Sequence, residues 1–429
     1  MFTNELFNRS SFWDYGEWAR SEIIAPRKMK YASLLEEDKL LVPWFEEHLL
    51  LLESCIDKNE QFFQTVVSTV AQQWVPSRYL VNKQLWTESN VEGFERVKSM
   101  LGQVNREWAA STKNERDVGF QRILRVLNNE REKKEDTVNV NVDGNGNDIY
   151  EVLVPGVGLS RITLELIQRG FKCQGNEFSY FMLILSNFLL NYCDKPNEIE
   201  IFPFIHQFSN QISRQNQLRR VLIPDISALD VLKSIKKKSL NDNDNNDNQS
   251  NNDLMSIFSG SFVDLYGPNN GIKDSSLYDK FKKDSIEFRE LNENKFDAIV
   301  TMFFIDTSTN VIEYLKAIEH SLKKNGVWIN FGHLLWHYDN NSASSSSNNE
   351  ENSMVISVGE GGRKLVVVPL KGLEMTRDDV VELVKSVGFE FKEYENNVET
   401  TYGNDGVDSE RRLAEWLYRC EFWVCNKRE

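Results

Sequence analysis

Val154-Pro155-Gly156-Val157-Gly158 constrains this chain more than any other stretch. It follows the apolar run Ile149-Tyr150-Glu151-Val152-Leu153-Val154 and precedes Arg161–Arg169, whose apolar spacing is helical and which stops at Gly170. Such a run predicts a buried strand. A glycine turn between strand and helix lets a ligand approach the backbone where a Cβ would collide. A second strand is predicted at Phe171–Gly175 and a long apolar helix from about Tyr180 to Tyr192. Strand alternating with helix predicts a parallel sheet covered on both faces.

Further strands are predicted at Phe296–Phe304 and Gly326–Phe331, with a helix at Val311–Leu322 and a turn at Lys323-Lys324-Asn325-Gly326 between them. The chain then offers a helix at Arg377–Val387, a strand at Glu390–Tyr394 and a final strand at Cys420–Cys425. A sheet with an antiparallel edge strand is expected. Residues 1–130 read as a helical region, with amphipathic stretches at Leu34–Leu41 and Phe45–Leu52, and residues 131–429 as the sheet domain. Two Asn- and Ser-rich stretches, about 239–253 and 339–353, cannot bury apolar surface and are expected to be disordered insertions.

Hydrophobic residues make up 40% of the 429, enough for a large core. A net charge of -15 argues against nucleic acid as a partner. The short run Lys236-Lys237-Lys238 reads as a solvated helix end. Five scattered cysteines lack a metal-ligand spacing, so reduced core thiols, no metal and a cytosolic or nuclear location are expected. The start shows no secretory pattern, and no run of about 18 apolar residues predicts a membrane span. A homodimer through the N-terminal helices stays open.

Glu177 lies 21 residues beyond Gly156, where an acid can accept hydrogen bonds from both ribose hydroxyls of an adenosine. Dehydrogenases and methyl-donor enzymes share that pattern, and glycine turns without a ligand also occur. Arg161 stands where the dinucleotide fingerprint has its third glycine, which favours a cofactor without a pyrophosphate.

Several segments together closely resemble the carnosine N-methyltransferase family. They are Val152–Arg161, Cys173–Leu183, Ser186-Asn187-Phe188, Phe204–Asn210, Ile223-Pro224-Asp225, Phe303–Thr307 and Gly326–Gly332. Arg106-Glu107-Trp108 and Glu115-Arg116-Asp117 fit as well, and Gln174–Met182 is the most specific run. The match runs in order from about residue 10 to the end. The resemblance implies an α/β, Rossmann-like class I methyltransferase sheet, mostly parallel, with an N-terminal helical region over the cofactor. It implies methyl transfer from S-adenosylmethionine to the imidazole of carnosine, a small peptide, giving anserine. It assigns Gln103, Arg106, Gly156, Glu177, Ser261, Phe262 and Met302 to the cofactor. It assigns Asp306, His337 and Tyr418 to the dipeptide, with Tyr402 as a weaker candidate. The family carries an acid where this chain has Ser261, and relatives can have cysteine where it has Met302.

A neutral imidazole is a competent nucleophile near pH 7, because its unperturbed pKa is about 6.5. Only one ring nitrogen bears the lone pair. A carboxylate that accepts the other nitrogen's proton selects the tautomer and stabilises the charge that develops, and Asp306 suits that role. Plainer readings stand beside these: Asp306 as a helix cap, Glu177 as a helix-start acid, His337 as a loop residue, Tyr418 as a core aromatic. Two other functions also remain: methylation of histidine in a protein, and cofactor binding without turnover.

Overall fold

The computed structural model describes residues 10–74, 89–138, 149–241, 254–269, 279–338, 353–358, 364–369, 372–403 and 413–428. Helix α1, Phe45–Trp74, buries Leu49, Leu52, Ile56, Asn59, Phe63, Val67 and Val70, steps of three or four that define one helix face. Asn59 is satisfied there, since its amide exchanges hydrogen bonds with the backbone N–H and C=O of Phe202. The stretch Leu34–Leu41 is different. Only Glu36–Lys39 is helical, and Leu35, Leu40 and Leu41 are exposed. One turn made of four charged residues has no apolar stripe to bury, so the expected amphipathic helix does not form.

Helices α2, Val91–Trp108, and α3, Lys113–Val138, follow, the former capped by the Asn90 side chain accepting from the Gly93 amide. Then come β1 (Glu151–Pro155), α4 (Arg161–Gln168), β2 (Lys172–Glu177) and α5 (Tyr180–Asn191). A small antiparallel pair, β3 (Ile199–Ile201) and β4 (Val221–Ile223), precedes α6 (Ala228–Asn241) and β5 (Met255–Ser259). The remainder comprises α7 (Phe262–Tyr266), α8 (Asp279–Leu291), β6 (Phe296–Met302), α9 (Val311–Ser321) and β7 (Leu322–Gly332). The hairpin β8 (Ser353–Val358) and β9 (Lys364–Pro369), α10 (Arg377–Val387), β10 (Phe389–Thr400) and β11 (Tyr418–Lys427) complete it. Helix α6 runs to Asn241, so the expected insertion begins after it; 242–253 and 339–352 lie outside the described residues.

The main sheet has the order β10-β11-β7-β6-β1-β2-β5. Pairs β1–β6, β6–β7 and β2–β5 are parallel, and β11 runs antiparallel to β7. The expectation of a mostly parallel sheet with an antiparallel strand toward one edge is met. The turn expected at Lys323–Gly326 is instead an irregularity inside β7. The register jumps from Phe296↔Leu322 to Ala298↔Val327, and Asn325 takes φ +64 within it.

The chain forms two compact units, each discontinuous in sequence. The first comprises Met1–Arg122, Val157–Ser259 and Thr400–Leu417; the second comprises Ile123–Gly156, Gly260–Glu399 and Tyr418–Glu429. In the first, Phe12, Phe63 and Phe181 pack ring to ring. In the second, Trp328 packs against Trp423 and Phe389. All five cysteines are buried and free of disulfides. Among the described residues no helix is long and apolar enough to cross a membrane, and no His/Cys/Asp/Glu group could hold a metal.

Candidate active site

β1 ends at Pro155 and Gly156 takes φ +63, a conformation that favours glycine. A Cβ at Gly156 would also lie 2.3 Å from the Phe304 ring. The glycine is therefore demanded by packing in its own unit, a reason the ligand argument did not contain. Past the unit boundary, Gly158 has φ +56 and its amide donates to Glu177 Oε2 at 2.9 Å. Glu177 Oε1 accepts the amides of Phe178 and Ser179, each at 2.8 Å. Glu177 is thus a helix-start acid and a clasp on the glycine turn at once. Burial pushes its carboxyl up while the three amides pull it back. Oε2 accepts one bond here and keeps a lone pair.

Also in the first unit, α2 carries Gln103 and Arg106. The Tyr402 hydroxyl donates to Gln103 Oε1 at 2.8 Å, and the Arg106 guanidinium lies 4.2 Å from the Tyr402 ring centre. Arg106 is 3.6 Å from Glu115 and 3.8 Å from Glu107. Glu115 in turn accepts the Gly403 amide and the Thr401 hydroxyl. Tyr402, a weaker candidate for the dipeptide, is thus placed with two of the residues assigned to the cofactor. Arg161 also has a structural use. It is buried, pairs with Asp225 and Glu165, and shares Asp225 with Arg116. A glycine at the position would remove that network.

In the second unit, the chain leaves β6 through Phe303, a bulky residue at φ +50 whose amide donates to Phe331 O at 2.8 Å. Such a backbone costs of order 1–3 kcal/mol and bends the chain sharply at the strand end. Asp306 follows in a 3-10 turn, Ile305–Thr307. It caps no helix: Asn310 caps α9, and among the described residues neither Asp306 carboxylate oxygen has a hydrogen bond although the residue is only 1% exposed. Burial pushes its carboxyl up to about 7, against a small opposing pull from its own amide.

Two histidines face that carboxylate. His337 Nε2 is 3.6 Å from Oδ2, its backbone amide bonds Asp306 O at 3.1 Å, and burial lowers its imidazole pKa. His333 Nδ1 is 3.4 Å from the same oxygen. His333 was not among the residues expected from sequence, although a second histidine four residues before His337, just past a parallel strand's C-terminal end, is a usable signal. Tyr418 stacks on the His333 ring, centroids 4.7 Å apart and 27° between planes. The structure therefore brings His337 to Asp306 directly and Tyr418 to it through the His333 ring. Elsewhere in this unit Ser261 caps α7 through the Asp264 amide. Phe262 is a core ring packed on Phe304, Tyr314 and Tyr266, and Met302 ends β6 half-buried.

A family model described as Carnosine N-methyltransferase matches residues 83–429. The carnosine N-methyltransferase of Schizosaccharomyces pombe is 28% identical over 97% of this chain and 93% of its own length. That of Mus musculus is 28% identical over 99% of this chain and 87% of its own length. A solved SAM-dependent methyltransferase from Methanosarcina mazei aligns with 66% of this chain and 94% of its own at 11% identity, with a TM-score of 0.32. The sheet described above, with its N-terminal helical region, is the Rossmann-like methyltransferase arrangement that the sequence led us to expect. The chain belongs to the carnosine N-methyltransferase family.

Proposed function

We propose that this chain is an S-adenosylmethionine-dependent enzyme that methylates the imidazole of carnosine, giving anserine. The observation that supports it most is the buried Asp306 carboxylate, facing two histidines with no hydrogen bond of its own among the described residues. A charge held dry and without a donor suits a ligand that brings a donor.

The residues fit the cofactor. Glu177 Oε2 keeps a lone pair for a ribose hydroxyl. On α2, beside Gln103 and Arg106, the buried Asn105 Oδ1 has no hydrogen-bond partner among the described residues, an acceptor suited to an amino-acid ammonium. When bound, the cofactor supplies a methyl carbon activated by a sulfonium, so the protein has chiefly to aim a lone pair. In this reading Asp306 accepts the ring N–H of carnosine. That bond chooses the tautomer, directs the other nitrogen's lone pair outward from the carboxylate and stabilises the ring as it becomes cationic. The same carboxylate can then take the proton that methylation makes acidic. His337 stands beside that carboxylate, and Tyr418 stacks on the neighbouring His333 ring.

The test is direct. Purified protein with S-adenosylmethionine and carnosine is expected to yield carnosine heavier by one methyl, located on the imidazole by fragmentation. Methylation of histidine in a small-molecule-depleted extract, with carnosine left untouched, would replace the acceptor.

A further inference from the structure

We propose that His333 is the positioning residue of Asp306: its Nδ1–H holds carboxylate oxygen Oδ2, leaving Oδ1 to receive the ring N–H of the acceptor. The inference rests on the reading of Asp306 given above.

The backbone brings His333 there. A Cβ on Gly332 would sit 3.0 Å from the Phe303 amide nitrogen, so the end of β7 lies against the strained Phe303 corner and delivers the next side chain to Asp306. The ring is then clamped. Tyr418 stacks on it, and Phe303 meets it at 5.5 Å and 64°. The His333 side chain is 15% exposed and that of His337 58% exposed. Of the two histidines, His333 is the one packing holds in place, and His337 is the one solvent and substrate reach.

The tautomer follows from a competition. His333 Nδ1 is 3.4 Å from Asp306 Oδ2, an acceptor, and also 3.4 Å from the Leu335 amide, a donor. One ring nitrogen carries either a proton or a lone pair, so it serves one of them. Leu335 is 60% exposed and water can replace its partner at little cost. An ionised Asp306, 1% exposed and without a hydrogen bond among the described residues, has no such substitute. An unpaired buried charge costs more than a weakened exposed bond, so the proton belongs on Nδ1, facing Asp306.

Asn and Gln separate this role from packing, because an Asn amide reaches the place of Nδ1 and a Gln amide that of Nε2. His333→Gln and His333→Phe are expected to lower kcat on carnosine by roughly tenfold or more, as a misaimed reactant does. KM and S-adenosylhomocysteine binding should move little. His333→Asn should stay several-fold above both. Wild-type kcat in the Gln and Phe variants would overturn the proposal, as would an Asn variant no better than Gln. If the Phe variant fails to fold, the Asn and Gln pair decides alone. Asp306→Asn separates the two layers. An inactive Asp306→Asn beside a fully active His333→Gln removes only the His333 role. An active Asp306→Asn removes the Asp306 reading, and this inference with it.

Discussion

Glu177, in the first unit, accepts three backbone amides at 2.8 or 2.9 Å. Asp306, in the second, is buried at least as deeply and accepts no hydrogen bond among the described residues. Both carboxyls are raised by burial; three backbone amides pull Glu177 back, and for Asp306 the opposing pull comes from its own amide alone. The contrast separates two uses of a buried acid. Glu177 shapes the backbone around a turn, so removing it should damage structure and binding. Asp306 costs stability as it stands, so removing it should damage chemistry and relieve the fold.

The largest effect is expected at Asp306. Asp306→Asn should lower kcat by roughly 10²–10⁴, the range of a lost proton-handling group, while S-adenosylhomocysteine binding measured by calorimetry holds. Stability should move the other way. With the folded pKa at about 7 and the usual value at 3.8, the native state binds more protons than the unfolded state in between. Wild-type stability therefore falls as pH rises through that window and stays lowered above it. The Asn variant should melt higher than wild type at pH 8, with a smaller gap at pH 5. Wild-type kcat/KM should correspondingly rise through about pH 7 as Asp306 ionises. A variant that melts lower at every pH would erase the contrast.

Next comes Glu177→Gln. A Gln amide offers one oxygen where two now accept, and turns an N–H toward a backbone N–H. Leaving such a donor unmatched costs about 1–3 kcal/mol. We expect S-adenosylhomocysteine affinity to fall by about ten- to a hundredfold and the melting temperature by a few degrees. Unchanged affinity would make Glu177 purely structural. Gly156→Ala should act through Phe304. Its Cβ would meet that ring at 2.3 Å at a φ of +63, so a loss of about 1–3 kcal/mol is expected in denaturant melts. Adding Phe304→Leu should recover part of it. The smallest change is Ser261→Asp. Asp caps a helix as Ser does, so the melting temperature should stay within about a degree. Cofactor affinity should rise by about threefold if an acid there reads the adenine amine, as the family pattern implies.

Part of the sheet was legible because the largely apolar stretches Val152–Val154 and Val327–Phe331 stand close to glycines, whereas β2 and β10 are mostly polar. Spacing from Gly156 sufficed for Glu177, while the Phe304-Ile305-Asp306 corner was legible through the family resemblance. What they missed depends on distant parts of the chain. Lys323–Gly326 has turn composition but lies beside β6, and pairing with that strand absorbs it as a bulge. Leu34–Leu41 has helical spacing, but among the described residues no partner face covers Leu35, Leu40 and Leu41. Tyr402 meets Gln103 across nearly three hundred residues of sequence. His333 reaches Asp306 where Gly332 lets β7 approach Phe303, and no periodicity encodes that approach.

The burial of every cysteine has a practical consequence. Burial raises the thiol pKa of Cys55 and Cys193 to about 12 and pushes Cys173 and Cys425 up as well, so the native chain should be nearly inert to alkylating reagents. Cys55, Cys173 and Cys193 belong to the first unit, and Cys420 and Cys425 to the second. A short labelling pulse followed by peptide mass spectrometry would therefore time the opening of each unit separately, using reporters the chain already carries.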